Sequence, residues 1–432
     1  MSWVAALKNF TNDTVRQVQF FMLCRQLGII FSSIVVAWSL PIQEVGIFEM
    51  LMFVGYLMTF FWSDALLRGF LANKELQSRF SAITSFFLLY FIGSVVVMGL
   101  LLAAQKLLIP ILTSRPDLEG LEVFAVYQVL IVPLWIAPLI GLLKGQNIAL
   151  AALYVLIGPA FSCWTGYNSL PGMQGILLGL FCYALVGFIW ALIQTKFIRG
   201  YSLPGLLRLI WPAAWPLMLY AISNGLARSF DVWLVARHFS EEIFAVFRYG
   251  AREFPLVVAL SAGLSTAIIP RLHHEGSLEE LKRRSVRIMH SCYPIIAFLL
   301  VLSPVLFEMI FGLQYKPGAA IFNIYLLVTL TQLVFPQSII TARGDTKILW
   351  YVSVAELLVN IVASIILMQL IGLEGIAWGT CIAFAFEKLV LITFIHRRYG
   401  IKLSQIIQVR TWLLYAILLF GMYLLSTWVF GI

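Results

Sequence analysis

Two stretches of the chain decide how it is built: Gly172-Met-Gln-Gly-Ile-Leu-Leu-Gly179 and Gly372-Leu-Glu-Gly-Ile-Ala-Trp-Gly379. They share three glycines and one isoleucine at an offset of 200 residues. Two further matches keep the same order. Lys144-Gly-Gln-Asn147 pairs with Arg343-Gly-Asp-Thr346, and Gly46-Ile-Phe48 with Ala245-Val-Phe247, both at an offset of 199. Three matches in one order at nearly one offset argue for an internal duplication. The halves run over residues 1–200 and 201–400, and 401–432 is left over as an additional C-terminal transmembrane helix. Gly175/Gly179 and Gly375/Gly379 also have the small-xxx-small spacing that lets two helices approach closely, which is a structural part.

The composition says where these halves live. Of 432 residues, 61% are hydrophobic and 11% charged, against about 45–50% and about 25% in soluble domains. That excludes a water-soluble globule and leaves an all-α polytopic membrane protein. Thirteen stretches are long and apolar enough to read as spanning helices. They lie near 16–39, 44–70, 80–106, 121–143, 147–166, 173–195, 206–237, 242–270, 285–311, 318–341, 347–370, 374–395 and 410–430. The alternating ten-residue runs of a membrane barrel are absent. Six spans per half is an even number, so both halves enter the membrane in the same sense, as in transporters built from parallel repeats.

Basic residues set the orientation. With the N-terminus cytoplasmic, 20 of the 29 lysines and arginines fall on the inner side. Only Lys106, Arg115, Arg237 and Lys316 fall outside, and the other five lie within spans. The net charge of +9 is therefore mostly topology, and a nucleic-acid partner is not indicated. The stretch Leu278–His290 is basic and amphipathic and reads as a surface helix on anionic lipid. Cys24, Cys163, Cys182, Cys292 and Cys381 lie in or near apolar spans with no CxxC pair, so neither a disulfide nor a metal role is indicated. No phosphate-binding loop, no nucleophile with its base and no cofactor motif occurs, so an enzyme is not expected.

The charges inside the spans carry the functional signal, because an ionisable group at the bilayer centre costs about 2.5–3.5 kcal/mol on insertion scales. Arg25 lies in segment 1, Arg228 and Asp231 in segment 7, and Arg248, Arg252 and Glu253 in segment 8. Arg248 and Arg252 are four residues apart, so a continuous helix puts both on one face. Two cations there suit an anion opposite. Arg228 and Asp231 are three apart and can neutralise each other; alternatively, the acids pair with arginines of neighbouring helices and lock segments 7 and 8 together. Glu356 in segment 11 is an isolated acid suited to carry a coupling ion, with Asp231 and Glu253 as further candidates. Glu387-Lys388 in segment 12 snorkels or pairs locally. Pro212, Pro216 and Pro255 predict kinks beside the arginines.

Gln43-Glu-Val-Gly-Ile-Phe48, its counterpart Glu241-Glu-Ile-Phe-Ala-Val-Phe247, the Lys144-Gly-Gln and Arg343-Gly-Asp turns and the Gly-x-x-Gly-Ile-x-x-Gly starts together resemble one family. They are similar to polysaccharide (O-antigen type) flippases of the multidrug/oligosaccharidyl-lipid/polysaccharide exporter superfamily. The resemblance covers about residues 10–400 and implies two six-helix lobes in a V shape in a bacterial inner membrane. It implies transport of a lipid-linked oligosaccharide, with polysaccharide polymerase or glycosyltransferase machinery and membrane lipids as partners. It also implies a cationic central cavity, which Arg25, Arg228, Arg248 and Arg252 fit by residue type. The unpaired segment 13 departs from the usual even count. Two other readings stay open: a multidrug or cation antiporter on the same scaffold, and a non-transporting assembly protein for envelope polysaccharide.

Overall fold

The computed structural model describes residues 14–72, 80–136, 149–195, 202–269, 272 and 276–431. All regular structure among them is helical. The first half contains α1 (Thr14–Ser39), α2 (Ile42–Ala72), α3 (Phe80–Ala103), α4 (Gln105–Leu112), α5 (Leu121–Ile131), α6 (Ala149–Ser169) and α7 (Met173–Thr195). Then come α8 (Leu203–His238), α9 (Glu241–Gly250), α10 (Pro255–Ile268), α11 (Ser277–Phe311), α12 (Gly318–Gln332) and α13 (Pro336–Arg343). The chain ends with α14 (Thr346–Ile371), α15 (Leu373–Tyr399), the short α16 (Leu403–Ile406) and α17 (Val409–Phe430).

Eight of the described helices are long and apolar enough to cross a bilayer. The pair α12 and α13, bent by 40° at its break, would make a ninth. Three shorter apolar helices lie in segments 1, 4 and 8, and the 36-residue α8 covers segment 7. Large apolar side chains stand in the open on these helices, among them Trp38, Leu150, Ile193, Leu370 and Trp428. Such a surface is tolerable only against hydrocarbon. The protein is a multi-pass membrane protein.

The chain divides into two compact units: Met1–Gly225 with Ala236–Ala245, and Leu226–Val235 with Val246–Ile432. In the first, Phe70, Phe86, Tyr90 and Ile210 centre an aromatic-rich core, with the Phe70 and Phe86 rings stacked 4.4 Å apart. In the second, Leu281, Tyr293, Leu300, Leu333 and Leu419 draw α11, the break after α12 and α17 into one core. The leftover helix α17 is thus an integral part of the second unit. Asn323 of α12 fixes it there, donating to Ser426 Oγ at 3.2 Å and Leu300 O at 2.9 Å while accepting from Ser303 at 2.6 Å.

Both copies of the glycine motif do the same physical job. Gly172 and Gly372 take positive φ, 95° and 68°, where side chains are disfavoured, and each opens a helix. A Cβ on Gly175 or Gly179 would run into the Leu170 or Ser162 carbonyl oxygen, so α7 closes on α6. On Gly375 or Gly379 it would meet Leu367 O or the Ser364 side chain, so α15 closes on α14 in the same way. Lys144–Asn147 lies outside the described residues, while its partner turn ends α13 with Gly344 at φ 80°.

Two expectations are corrected. Leu278–His290 is not a separate surface helix: it forms the first turns of the 35-residue α11. Its amphipathic pattern comes from Leu281, Ser285 and Met289 packing into the second unit, while Arg283 and Arg287 face outward. Segment 8 is not one helix either, being broken between Gly250 and Pro255.

Candidate functional site

That break is where Arg248, Arg252 and Glu253, three of the charges that the sequence places within spans, sit. Pro255 takes the first position of α10, where its missing N–H costs nothing and its ring cannot continue a preceding helix. Phe254 before it is extended, as proline demands. Gly250 ends α9 hard against α12, since a Cβ there would meet the Gly318 carbonyl oxygen. Arg248 and Arg252 therefore do not share one helical face as their spacing predicts. Arg252 folds back instead, its Nε donating to the Arg248 carbonyl at 3.4 Å. Its guanidinium lies 4.9 Å from the centre of the Tyr249 ring, a cation–π contact. Tyr249 is itself buried, with Phe311 and Tyr315 each 4.9 Å away.

Arg248, Arg252 and Glu253 are half-buried and all make contacts of their own. The N-terminus of α10 adds the positive end of its dipole near the two cations, although Pro255 has no N–H and the Val257 N–H is bonded to the Phe254 carbonyl. Interrupted backbone at membrane depth is tolerated where it is buried in protein or lines a cavity, and it provides a place for a polar ligand.

Arg25 lies in the first unit. It is half-buried on α1 within electrostatic reach of Tyr183 on α7, and no described carboxylate pairs with it. Tyr183 is held by Tyr154, whose ring stacks on it at 4.6 Å and whose hydroxyl donates to its carbonyl. Arg228 belongs to α8, but its side chain lies outside the described residues, so the predicted Arg228–Asp231 pairing does too.

Asp231 has other company. It is only 3% exposed, and it accepts hydrogen bonds from Tyr325 at 3.1 Å, from Ser364 at 3.4 Å and from Thr380. Asn360 completes the group, its Nδ2 donating to Thr380 Oγ1 at 3.5 Å. Ser364 has one proton, yet its Oγ stands within 3.4 Å of three acceptors: Asp231 Oδ1, Asn360 Oδ1 and Ile376 O. One proton satisfies one of them at a time. The cluster sets one carboxylate among hydroxyl and amide oxygens, the ligand types that a small hard cation takes and that also accept an additional proton. The donors are all oxygen, with no group of three or more His, Cys, Asp or Glu among the described residues to hold a softer metal.

Glu356 is buried on the helix that supplies Asn360 and Ser364. The structure thus brings Asp231 and the Glu356 helix together in the second unit, and leaves Arg25 in the first. Glu387 and Lys388 pair with one another at 3.1 Å, and Gln337 donates to Glu387 at 2.8 Å.

Tyr325, Asn360, Ser364 and Thr380 were not singled out by sequence. One signal was present: position 380 is threonine directly after the shared glycine, where the first copy has Leu180. The first-half counterpart of α14, helix α6, carries no carboxylate at all. The departure of one copy from the other marks the cluster.

No family model matches the sequence, and no curated protein matches it. Solved structures do match the fold. The lipid II flippase MurJ in an inward closed conformation aligns with TM-score 0.69 at 14% identity, over 96% of this chain and 98% of that one. An inward-facing multidrug resistance MATE family transporter of the MOP superfamily aligns with TM-score 0.61 at 14% identity, over 90% and 98%. An outward-facing one gives 0.54 at 16% identity, over 89% and 94%. The chain has the polytopic all-α fold found in these transporters.

Proposed function

We propose that the protein is a flippase that moves a polyprenyl-pyrophosphate-linked oligosaccharide from the inner to the outer leaflet of a bacterial cytoplasmic membrane. Its N-terminus lies on the inner side, as the basic residues indicate. The observation that supports this reading is the break in segment 8, which brings Arg248 and Arg252 together with one acid, Glu253, before the N-terminus of α10. Guanidinium groups hold phosphate oxygens by paired charge-assisted hydrogen bonds, which suits a diphosphate. Arg25, beside Tyr183, is a further anion-binding side chain, and Arg228 is a fourth candidate. The polyprenyl tail stays in lipid while alternating access exposes the head to the other side.

Asp231 carries the coupling ion in this reading, held by oxygens of Asn360, Ser364 and Thr380, and it supplies the thermodynamic pull that the arginine sites lack. Either a proton or a sodium ion meets the chemistry of those donors. Glu356 and Glu253 are secondary candidates for that task. A MATE-like cation antiporter is the second reading, and the Asp231 cluster is the observation that favours it. The arginines at the break count against it, because a cationic cargo would meet like charge there. A purely structural assembly role leaves the broken, cation-rich backbone without a purpose.

The test is binding to the purified full chain in detergent. A long-chain polyprenyl pyrophosphate should bind at least about tenfold more tightly than the parent polyprenol, a difference of roughly 1.4 kcal/mol. The preference should also shrink as salt rises. Equal affinity for the two lipids contradicts the proposal.

A further inference from the structure

Helix α14 is arranged inside out. Trp350, Tyr351, Leu358, Val362, Ile365 and Leu370 are exposed on it, while its buried positions include Ser353, Glu356, Asn360 and Ser364. Those four follow each other at spacings of three, four and four residues, which puts them on one face of a helix. The stripe is about 16 Å long at 1.5 Å per residue. Hydrophobic burial cannot account for it, since each polar group raises the cost of inserting the helix and an acid costs most. Its upper end is the Asp231 cluster itself, through Asn360 and Ser364. Glu356 lies one turn below Asn360, about 6 Å away between Cβ atoms. Ser353 continues the file toward the end of α14 that begins beside Arg343 and Lys347.

We propose that Glu356 is a second station for the small monovalent cation held at Asp231, placed between that site and the inner face. The proposal rests on the reading of Asp231 as a cation site. A coupling site buried as deeply as Asp231 needs a route to water, and an acid one turn inward on the same face provides it. If the cation is a proton, the Asp231 carboxyl O–H breaks and a Glu356 carboxylate oxygen takes the proton, leaving Asp231 charged; Glu356 then releases it to water on the inner side. If it is sodium, it exchanges one carboxylate for the other with no covalent change. Other ionisable groups on elements packed against α14 are Glu374, Cys381, Glu387, Lys388, His396, Arg397, Arg398 and Tyr399 of α15 and Arg343 of α13. Glu387 and Lys388 neutralise each other at 3.1 Å, so they do not replace Glu356 in the file.

The test uses the full chain in proteoliposomes with no lipid-linked substrate, so it stands apart from the cargo. Entrapped pH-sensitive and sodium-sensitive dyes report which cation crosses under a gradient of each. Wild type should carry one of the two. Glu356→Gln should slow that flux roughly tenfold, corresponding to about 1.4 kcal/mol on the barrier, and Glu356→Asp should recover part of it. Equilibrium binding of the same cation at Asp231, read as proton uptake or sodium-23 NMR on solubilised protein, should survive Glu356→Gln and vanish in Asp231→Asn. A Glu356→Gln flux within twofold of wild type overturns the proposal. So does a wild type that carries neither cation, or loss of equilibrium binding in Glu356→Gln.

Discussion

Gln43 donates its side-chain amide to the Glu242 carboxylate at 2.5 Å, and the two residues are 199 positions apart. That is the offset relating Gly46-Ile-Phe48 to Ala245-Val-Phe247. The start of α2 and the similar stretch at the start of α9 thus meet at matching positions, inside the first unit. Around the pair, Arg115 bridges to Glu241 at 2.9 Å and Arg237 donates to the Pro110 and Thr113 carbonyls at 2.8 and 3.1 Å. The two similar turns are thus parts of one contact.

The closeness of that contact depends on Gly46, because a Cβ there would run into the Glu241 backbone. Gly46→Leu should lower stability by about 1–3 kcal/mol through overpacking. Glu241→Ala should cost less than about 1 kcal/mol, since its ion pair with Arg115 is partly solvent-exposed. Thermal unfolding in detergent checks the order of the two. Equal losses would mean that the ion pair, not the backbone approach, holds the turn.

The second copy of the glycine motif gives another test. Gly379→Leu would push a side chain into Ser364, and so into the Asp231 cluster. It should reduce both the unfolding midpoint and cation binding. Gly179→Leu, which meets Ser162 in the first unit, should reduce the midpoint and leave cation binding intact. Loss of binding in both variants contradicts the placement of the site.

Asn323→Leu should destabilise the chain by about 1–3 kcal/mol, because it strands buried Ser303, Ser426 and the Leu300 carbonyl. Ser426→Ala removes one bond of that network and should cost less. If the two variants melt together, α17 is not tied in through Asn323.

A cation bound only by the folded state raises stability with its concentration. The unfolding midpoint of the wild type should therefore climb with sodium, or with proton activity, according to which ion Asp231 holds. Asp231→Asn keeps the shape of the side chain and should abolish that dependence. A midpoint for Asp231→Asn that still rises with the same cation contradicts the assignment.

Much of this architecture was legible in the sequence because membrane burial leaves a coarse mark. Apolar runs located the spanning helices, and the repeated glycines located two helix–helix approaches. What the sequence concealed is local. The 251–254 break was foreshadowed by Pro255, yet the i, i+4 spacing of Arg248 and Arg252 pointed to a continuous helix, and Gly250 packing on Gly318 is a tertiary fact. The oxygen cluster is spread over α8, α12, α14 and α15. Tyr325, Asn360, Ser364 and Thr380 look unremarkable singly, and only packing brings them together around Asp231. Asp231 stood out in the sequence as an acid within a span, but its company did not: its described partners are hydroxyls and an amide.

The central claim is that Arg248 and Arg252 hold an anionic head group at the break in segment 8. The direct measurement is export of the surface glycan by the Arg248→Ala/Arg252→Ala double variant, at membrane levels matched to wild type. Export should fall roughly tenfold or more. The Lys/Lys variant should lie between the two, because lysine keeps the charge and loses the planar fork. Wild-type export from the double alanine variant would contradict the account.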